Sequence, residues 1–180
     1  MKITVVLGVF EQEALECGQV MTKESFGLLD DLARKVDAEV RFVYAVPEEK
    51  WAGNAKGVKV AVWREHRPAL LDAIRAQEPD IVYALGSLAL HSLANKGNAT
   101  QKAYRRREFS VPELPGVPCH TSFGLDQVWV KSGYGKWIGM DLVAALKGQV
   151  TTEYPETVVL QPGTKEWNIC PKELQDFLRG

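Results

Sequence analysis

The sequence predicts an α/β fold, a three-layer α/β/α sandwich in which helices cover both faces of a central, mostly parallel sheet. Three observations predict it. Residues 2–8 form a β-branched run closed by Gly8, the pattern of a buried strand running into a loop. Residues 80–86 repeat that pattern more clearly and end on Gly86. Helix-like segments alternate with these runs, and strand–helix alternation is most simply satisfied by a parallel sheet with crossover helices.

Each element has a local reason. Thr22 is placed to cap a helix to about Val36, with Phe26, Leu29, Ala33 and Val36 on one face and Asp30, Asp31 and Arg34 on the others. Glu24 in its first turn and Arg34 and Lys35 in its last complement the helix dipole. Residues 39–46 place Val40, Phe42 and Tyr44 in alternation, a second strand that Pro47 closes. A helix is expected over residues 64–77, with Pro68 in its first turn or kinking it. Ser87 is placed to cap the helix that follows to about Asn95. Residues 97–116 are irregular and rich in Arg, Lys and Pro, and residues 117–122 read as a last strand and its exit loop. Ile138, Leu142 and Leu146 at four-residue spacing predict a helix over 135–147. Residues 158–178 read as strand, turn and helix.

The composition is that of an ordinary globule, 46% hydrophobic and 25% charged, and 180 residues leave no room for a second core of similar size. A net charge of −1 gives no global attraction to nucleic acid, so any such contact depends on local cations. No apolar run is long enough to span a bilayer and no secretory h-region opens the chain, so no membrane association and a cytoplasmic location are expected. Cys17, Cys119 and Cys170 are odd in number and widely spaced, which reads as ordinary thiols and not a disulfide framework or metal knuckle.

Three ordered stretches carry a resemblance. The first is Leu7 to Glu13 followed by Gly18 to Asp30; the second is His66 to Leu71 followed by Pro79 to Leu90; the third is Tyr104 to Arg107, then Val117 to Ser122, then Trp137 to Leu146. In that order they resemble the uracil-DNA glycosylase superfamily, particularly the domain at the N-terminus of bacteriophage family A DNA polymerases. The middle stretch is the most specific. The resemblance covers about residues 1–148, so residues 1–149 are expected to form the glycosylase-like domain. Residues 150–180 are expected to be a tail or the start of an exonuclease-like domain.

The resemblance implies a pocket at Gly8, Val9, Phe10, Tyr44 and Ser122, with His120 matching the family's histidine. Glu11 is the nearest carboxylate to act as a water base. A histidine that hydrogen-bonds a departing base and a group that places water would stabilise the oxocarbenium-like state of base excision. The departures are specific. Val9 stands where the family positions its water, Tyr44 to Val46 stand where an Asn reads uracil, and His66 replaces an iron–sulfur cysteine. Neither a cluster nor any other cofactor is therefore expected.

Lys102, Arg105, Arg106 and Arg107, interleaved with Tyr104 and Phe109, are candidates to grip phosphates and stack a base, with a solvated loop as the alternative. Ser87 at a strand-to-helix turn is a candidate phosphate contact, although capping alone explains it more simply. Lys50, Trp51 and Lys56 form a second candidate edge. Trp129 and Trp137 read as packing residues, and His91 needs no ligand role. The expected function is a degenerate glycosylase-like module of a phage replication protein that binds DNA, chiefly single-stranded, or braces a polymerase or exonuclease domain. An active glycosylase on uracil or a modified base, and an unrelated small-molecule binder, are the alternatives.

Overall fold

The computed structural model describes residues 1–130 and 133–148; the strand, turn and helix expected over 158–178, and Cys170, lie outside them. The elements run β1 (Lys2–Leu7), α1 (Gln12–Glu16), α2 (Lys23–Val36), β2 (Glu39–Tyr44), α3 (Val60–Ala76), β3 (Ile81–Leu85), α4 (Ser87–Ala94), α5 (Gln101–Tyr104), β4 (Cys119–Ser122), α6 (Leu125–Val130) and α7 (Gly133–Leu146). The four strands form one all-parallel sheet in the order β2-β1-β3-β4. This is the expected three-layer sandwich.

Side-chain alternation along the strands builds two cores. Ile3, Val5, Leu7, Tyr83 and Leu85 face α2, α6 and α7 through Leu29, Leu32, Leu125, Ile138 and Leu142. Val6, Val82, Ala84 and Cys119 face α3 and α4 through Leu70, Leu71, Ile74, Ala89 and Leu93. Tyr83 is fully buried, and its hydroxyl donates to the Ile138 carbonyl at 2.8 Å, which ties α7 to the central sheet. A strand buried on both faces needs this near-continuous apolar character.

Three local expectations are corrected. The buried residues of α2 are Ser25, Leu29 and Leu32, while Phe26 is 58% exposed. Ser25 is admitted because its hydroxyl donates to the Glu11 carboxylate, so a polar residue holds a core position. Pro68 lies in the third turn of α3, since the helix starts at Val60. The carbonyl that loses its N–H partner there is that of Arg64, an exposed residue where water can substitute. Ser87 is not a cap: Gly86 holds the N-cap position with φ 94°, and no side chain caps α4. In addition, α1 and α6 are short helices in segments where the sequence assigns no element. Thr22 does cap α2, accepting from the Ser25 N–H at 3.2 Å, and Asn95 ends α4 in the left-handed conformation.

Cys17 is exposed and Cys119 buried, both as free thiols. Burial pushes the Cys119 thiol up to about 12, with the Glu108 charge adding to the effect. No helix among the described residues is long and apolar enough to cross a membrane.

Candidate functional site

From β1 the chain moves outward to β2, whereas from β3 it moves the other way to β4. The loops leaving the adjacent carboxyl ends of β1 and β3 therefore diverge and leave a crevice, the place where open parallel sheets hold their ligands. Here it is a cleft of about 960 Å³, a volume suited to a small organic group. Gly86 forms its base. Its φ of +94° suits only glycine, and a Cβ there would come within 3.2 Å of the Gly124 backbone.

Gly8, Val9, Phe10, Glu11, Tyr44 and Ser87 all line this cleft, so the structure brings together most of the residues expected there. Phe10 and Tyr44 meet edge to face with ring centroids 4.6 Å apart, giving one aromatic wall. The Tyr44 hydroxyl donates to the Val20 carbonyl at 2.8 Å. Burial, then the nearby Glu11 charge, raises the Tyr44 pKa well above that of an ordinary tyrosine and keeps the phenol protonated. Val9 packs with Val46, Trp63 and Leu88, an apolar contact with no means of holding water. Glu11 is committed to the start of α2, where its carboxylate accepts from the Thr22 N–H at 2.8 Å and from the Ser25 hydroxyl. Four carboxylates, those of Glu11, Glu13, Glu24 and Asp126, line the cleft beside one lysine, Lys56.

His120 and Ser122 are not part of it. The sequence puts His120 at a strand end, but β4 continues to Ser122, so His120 sits within the strand, paired with Tyr83 and 4% exposed. It lines neither this cleft nor its neighbour. Burial lowers its pKa, partly offset by a hydrogen bond with the Arg107 backbone and by the Glu108 charge. Its Nδ1 is buried with no partner among the described residues. The neutral imidazole is thus favoured beneath the site, and no shared cavity joins it to Glu11. Ser122 is fully buried and donates to Asp141 at 2.7 Å.

The basic loop is also largely spoken for. Arg105 and Arg106 both donate through Nε to Asp141, a residue of α7 that is 2% exposed. Tyr104 packs edge-on against Phe109 at 5.3 Å and not against solvent. Arg107 is half-buried, and its backbone meets His120. Lys102 remains exposed. Of the four cations expected to grip a strand, Arg105 and Arg106 are thus paired with a buried carboxylate, while Lys102 is exposed and Arg107 half-buried. In the second candidate edge, Lys50 pairs with Glu48 and Trp51 packs against the cluster around Val46 and Trp63, leaving Lys56 at the cleft.

A second cleft of about 880 Å³ adjoins the first, and Ser87 and His91 line both. Trp137, read from sequence as packing, is 39% exposed and lines this second cleft; the side chain of Trp129 lies outside the described residues. His91, which the sequence gives no role, reaches both clefts while its Nε2 meets the Ala99 carbonyl at 2.7 Å. Asp141 is the residue that sequence reasoning missed. Its signal was a lone carboxylate between Ile138 and Leu142 on the apolar stripe of α7. Among the described residues no group of three or more His, Cys, Asp or Glu side chains is placed to hold a metal ion. No protein-family model matches the chain, and no curated protein matches it either.

Proposed function

We propose that this chain is a weakened glycosylase-like module that binds single-stranded nucleic acid by seating an unpaired base in the switch-point cleft, without efficient excision. The observation that carries the reading is the separation of the two candidate catalytic groups. Glu11 lines the cleft but holds the start of α2, whereas His120 is buried within β4 and reaches neither cleft. The cleft itself supports base binding: its volume accepts a small ring, and Phe10 and Tyr44 give it an aromatic wall. In a replication protein such a module would work beside a polymerase or exonuclease domain, holding template strand and not repairing it.

Each missing transition-state contact raises the barrier by about 2.7–4 kcal/mol, a hundredfold or more in rate. With neither group in place, base release should be negligible while binding persists. The test pairs fluorescence anisotropy on short oligonucleotides with a base-release assay on duplexes containing uracil and hydroxymethyluracil. Binding that weakens in Phe10→Ala and Tyr44→Phe/Phe10→Ala proteins, with no released base, supports the reading. Stoichiometric release of either base would replace it with an active glycosylase in which Glu11 leaves α2 to activate water.

A further inference from the structure

The second cleft differs from the first in charge. Lys102, Arg105 and Arg106 line it, and no Asp or Glu is among its lining residues. Behind the arginines stands Asp141, whose one carboxylate accepts Nε of Arg105 and, at 3.0 Å, Nε of Arg106. One negative charge set against three cations leaves a surplus of positive charge. Both contacts use Nε, so neither arginine is held by a two-nitrogen fork on Asp141. Nη2 of Arg105 is buried with no partner among the described residues.

The cluster is also braced by its neighbours. The Arg105 guanidinium lies 4.5 Å from the Phe123 ring centroid and 4.8 Å from that of Trp137, and Arg106 lies 5.4 Å from Trp137. Gln101 donates to the Ser122 carbonyl at 2.9 Å, and Ser122 donates to Asp141, so the loop, β4 and α7 are fastened at one point. Burying a carboxylate costs solvation that an apolar residue would not, and here the return is two guanidinium planes held in fixed orientation. Fixed forked donors with unspent charge suit a planar or tetrahedral oxyanion, because little side-chain freedom remains to be lost on binding.

We propose that this second cleft is a phosphate site, and that it holds the phosphate of a nucleotide whose base lies in the switch-point cleft. The second half rests on the reading given under Proposed function; the first half does not. The two clefts differ in charge, carboxylates with one lysine lining the first and cations the second, and they join at Ser87 and His91. A nucleotide has the same polarity and would enter in one orientation. Lys102 and Arg106 are the contacting residues. Asp141 is a positioning residue, since it acts by fixing Arg105 and Arg106.

The experiment is calorimetric titration of the full chain at low salt with inorganic pyrophosphate, thymidine, thymidine monophosphate and oligo(dT). Pyrophosphate binding is expected to fall at least tenfold in a Lys102→Ala/Arg106→Ala protein and to weaken in Lys102→Ala alone, which is at an exposed position away from Asp141 and should leave the melt unchanged. Thymidine monophosphate should bind at least tenfold more tightly than thymidine, and Asp141→Asn should erase that preference while leaving thymidine affinity alone. General loosening of the fold would lower both. Pyrophosphate binding without any thymidine or oligonucleotide binding would keep the phosphate site and remove the nucleic-acid reading. Oligonucleotide binding that ignores the double substitution, with no pyrophosphate bound, would overturn the phosphate site and leave that reading standing. Monophosphate binding as tight as oligo(dT) would identify a free nucleotide as the source of the phosphate, and binding of oligo(dT) alone would identify a strand.

Discussion

Replacing Gly86 by alanine should destabilise the domain by about 2–6 kcal/mol and deform the cleft. Two costs add. At φ 94° and ψ 167° the backbone occupies a region that is essentially glycine's alone, and a side chain there costs about 1–3 kcal/mol. The new Cβ would also stand 3.2 Å from the Cα and 3.8 Å from the N of Gly124. Because the obstacle is backbone, one strand exit must move, an overpacking penalty of about 1–3 kcal/mol. Escape is limited by the hydrogen bonds Gly86 makes on both sides, to the Ser122 carbonyl and from the Leu90 N–H, each at 3.1 Å. Gly116→Ala is the control. Its φ is 76°, but nothing lies within 4 Å of where the alanine methyl would stand, so only the conformational term of about 1–2 kcal/mol applies. Urea denaturation followed by circular dichroism gives both values. For a domain of this size 1 kcal/mol corresponds to about 2–4 °C in Tm, so the two variants should separate clearly. Equal losses in the two would show that the contact between Gly86 and Gly124 imposes no constraint.

Arg67 is buried against α4 and donates to the Ser92 and Leu93 carbonyls and to both oxygens of Glu113, so Arg67→Met should cost about 3 kcal/mol in urea melts, far more than Glu113→Gln. Arg67 holds the Glu113 carboxyl down to about 2, so that part of stability is complete above about pH 4.5 and lost as pH falls toward 2; Glu113→Gln should flatten the acid limb of the stability curve. Burial lowers the His120 pKa, so the unfolded chain takes up its proton first and stability should decline as pH falls below about 6.5; His120→Gln should remove that decline in pH-dependent melts. With Lys102 and Arg106 as the contacting cations, the logarithmic salt slope of oligonucleotide affinity should be about −1.4 at roughly 0.7 per contact; a slope steeper than −2 would require further cations at the site.

The elements with a complete local signal were legible. β1 and β3 announce themselves by β-branched runs ending in Gly8 and Gly86, and α2 by the Thr22 cap that the structure retains. What escaped was set by partners distant in sequence. The stripe drawn through Phe26 is displaced because Ser25, a polar residue, enters the core when it meets Glu11 fourteen positions earlier. The arginines after α5 read as unpaired charge because Asp141 lies beyond the next strand and helix. His120 looks like a strand terminus because nothing local says that β4 continues to Ser122; its pairing with β3 decides that. Of the candidate site, Gly8 to Glu11, which follow β1, and Tyr44, which ends β2, could be placed at the cleft, since the ends of both strands were visible.

The register of the sheet has a consequence for how the chain folds. Lys2 pairs with Glu39, Ile3 with Ile81, and Val82 with Cys119, so no strand meets its neighbour across a short turn. Every pairing must close a long loop before it gains any hydrogen bonds, a cost in chain entropy that local hairpins avoid. β1 lies between β2 and β3 and cannot be completed on both edges until Ala84 is in place. Helices such as α2 and α3 can form early, but the sheet must assemble around a β1 that waits with its apolar edges open. Refolding should accordingly be slow for the domain's size, in the millisecond-to-second range typical of non-local topologies. During that interval the exposed strand edge is the part of the molecule most open to pairing with another chain.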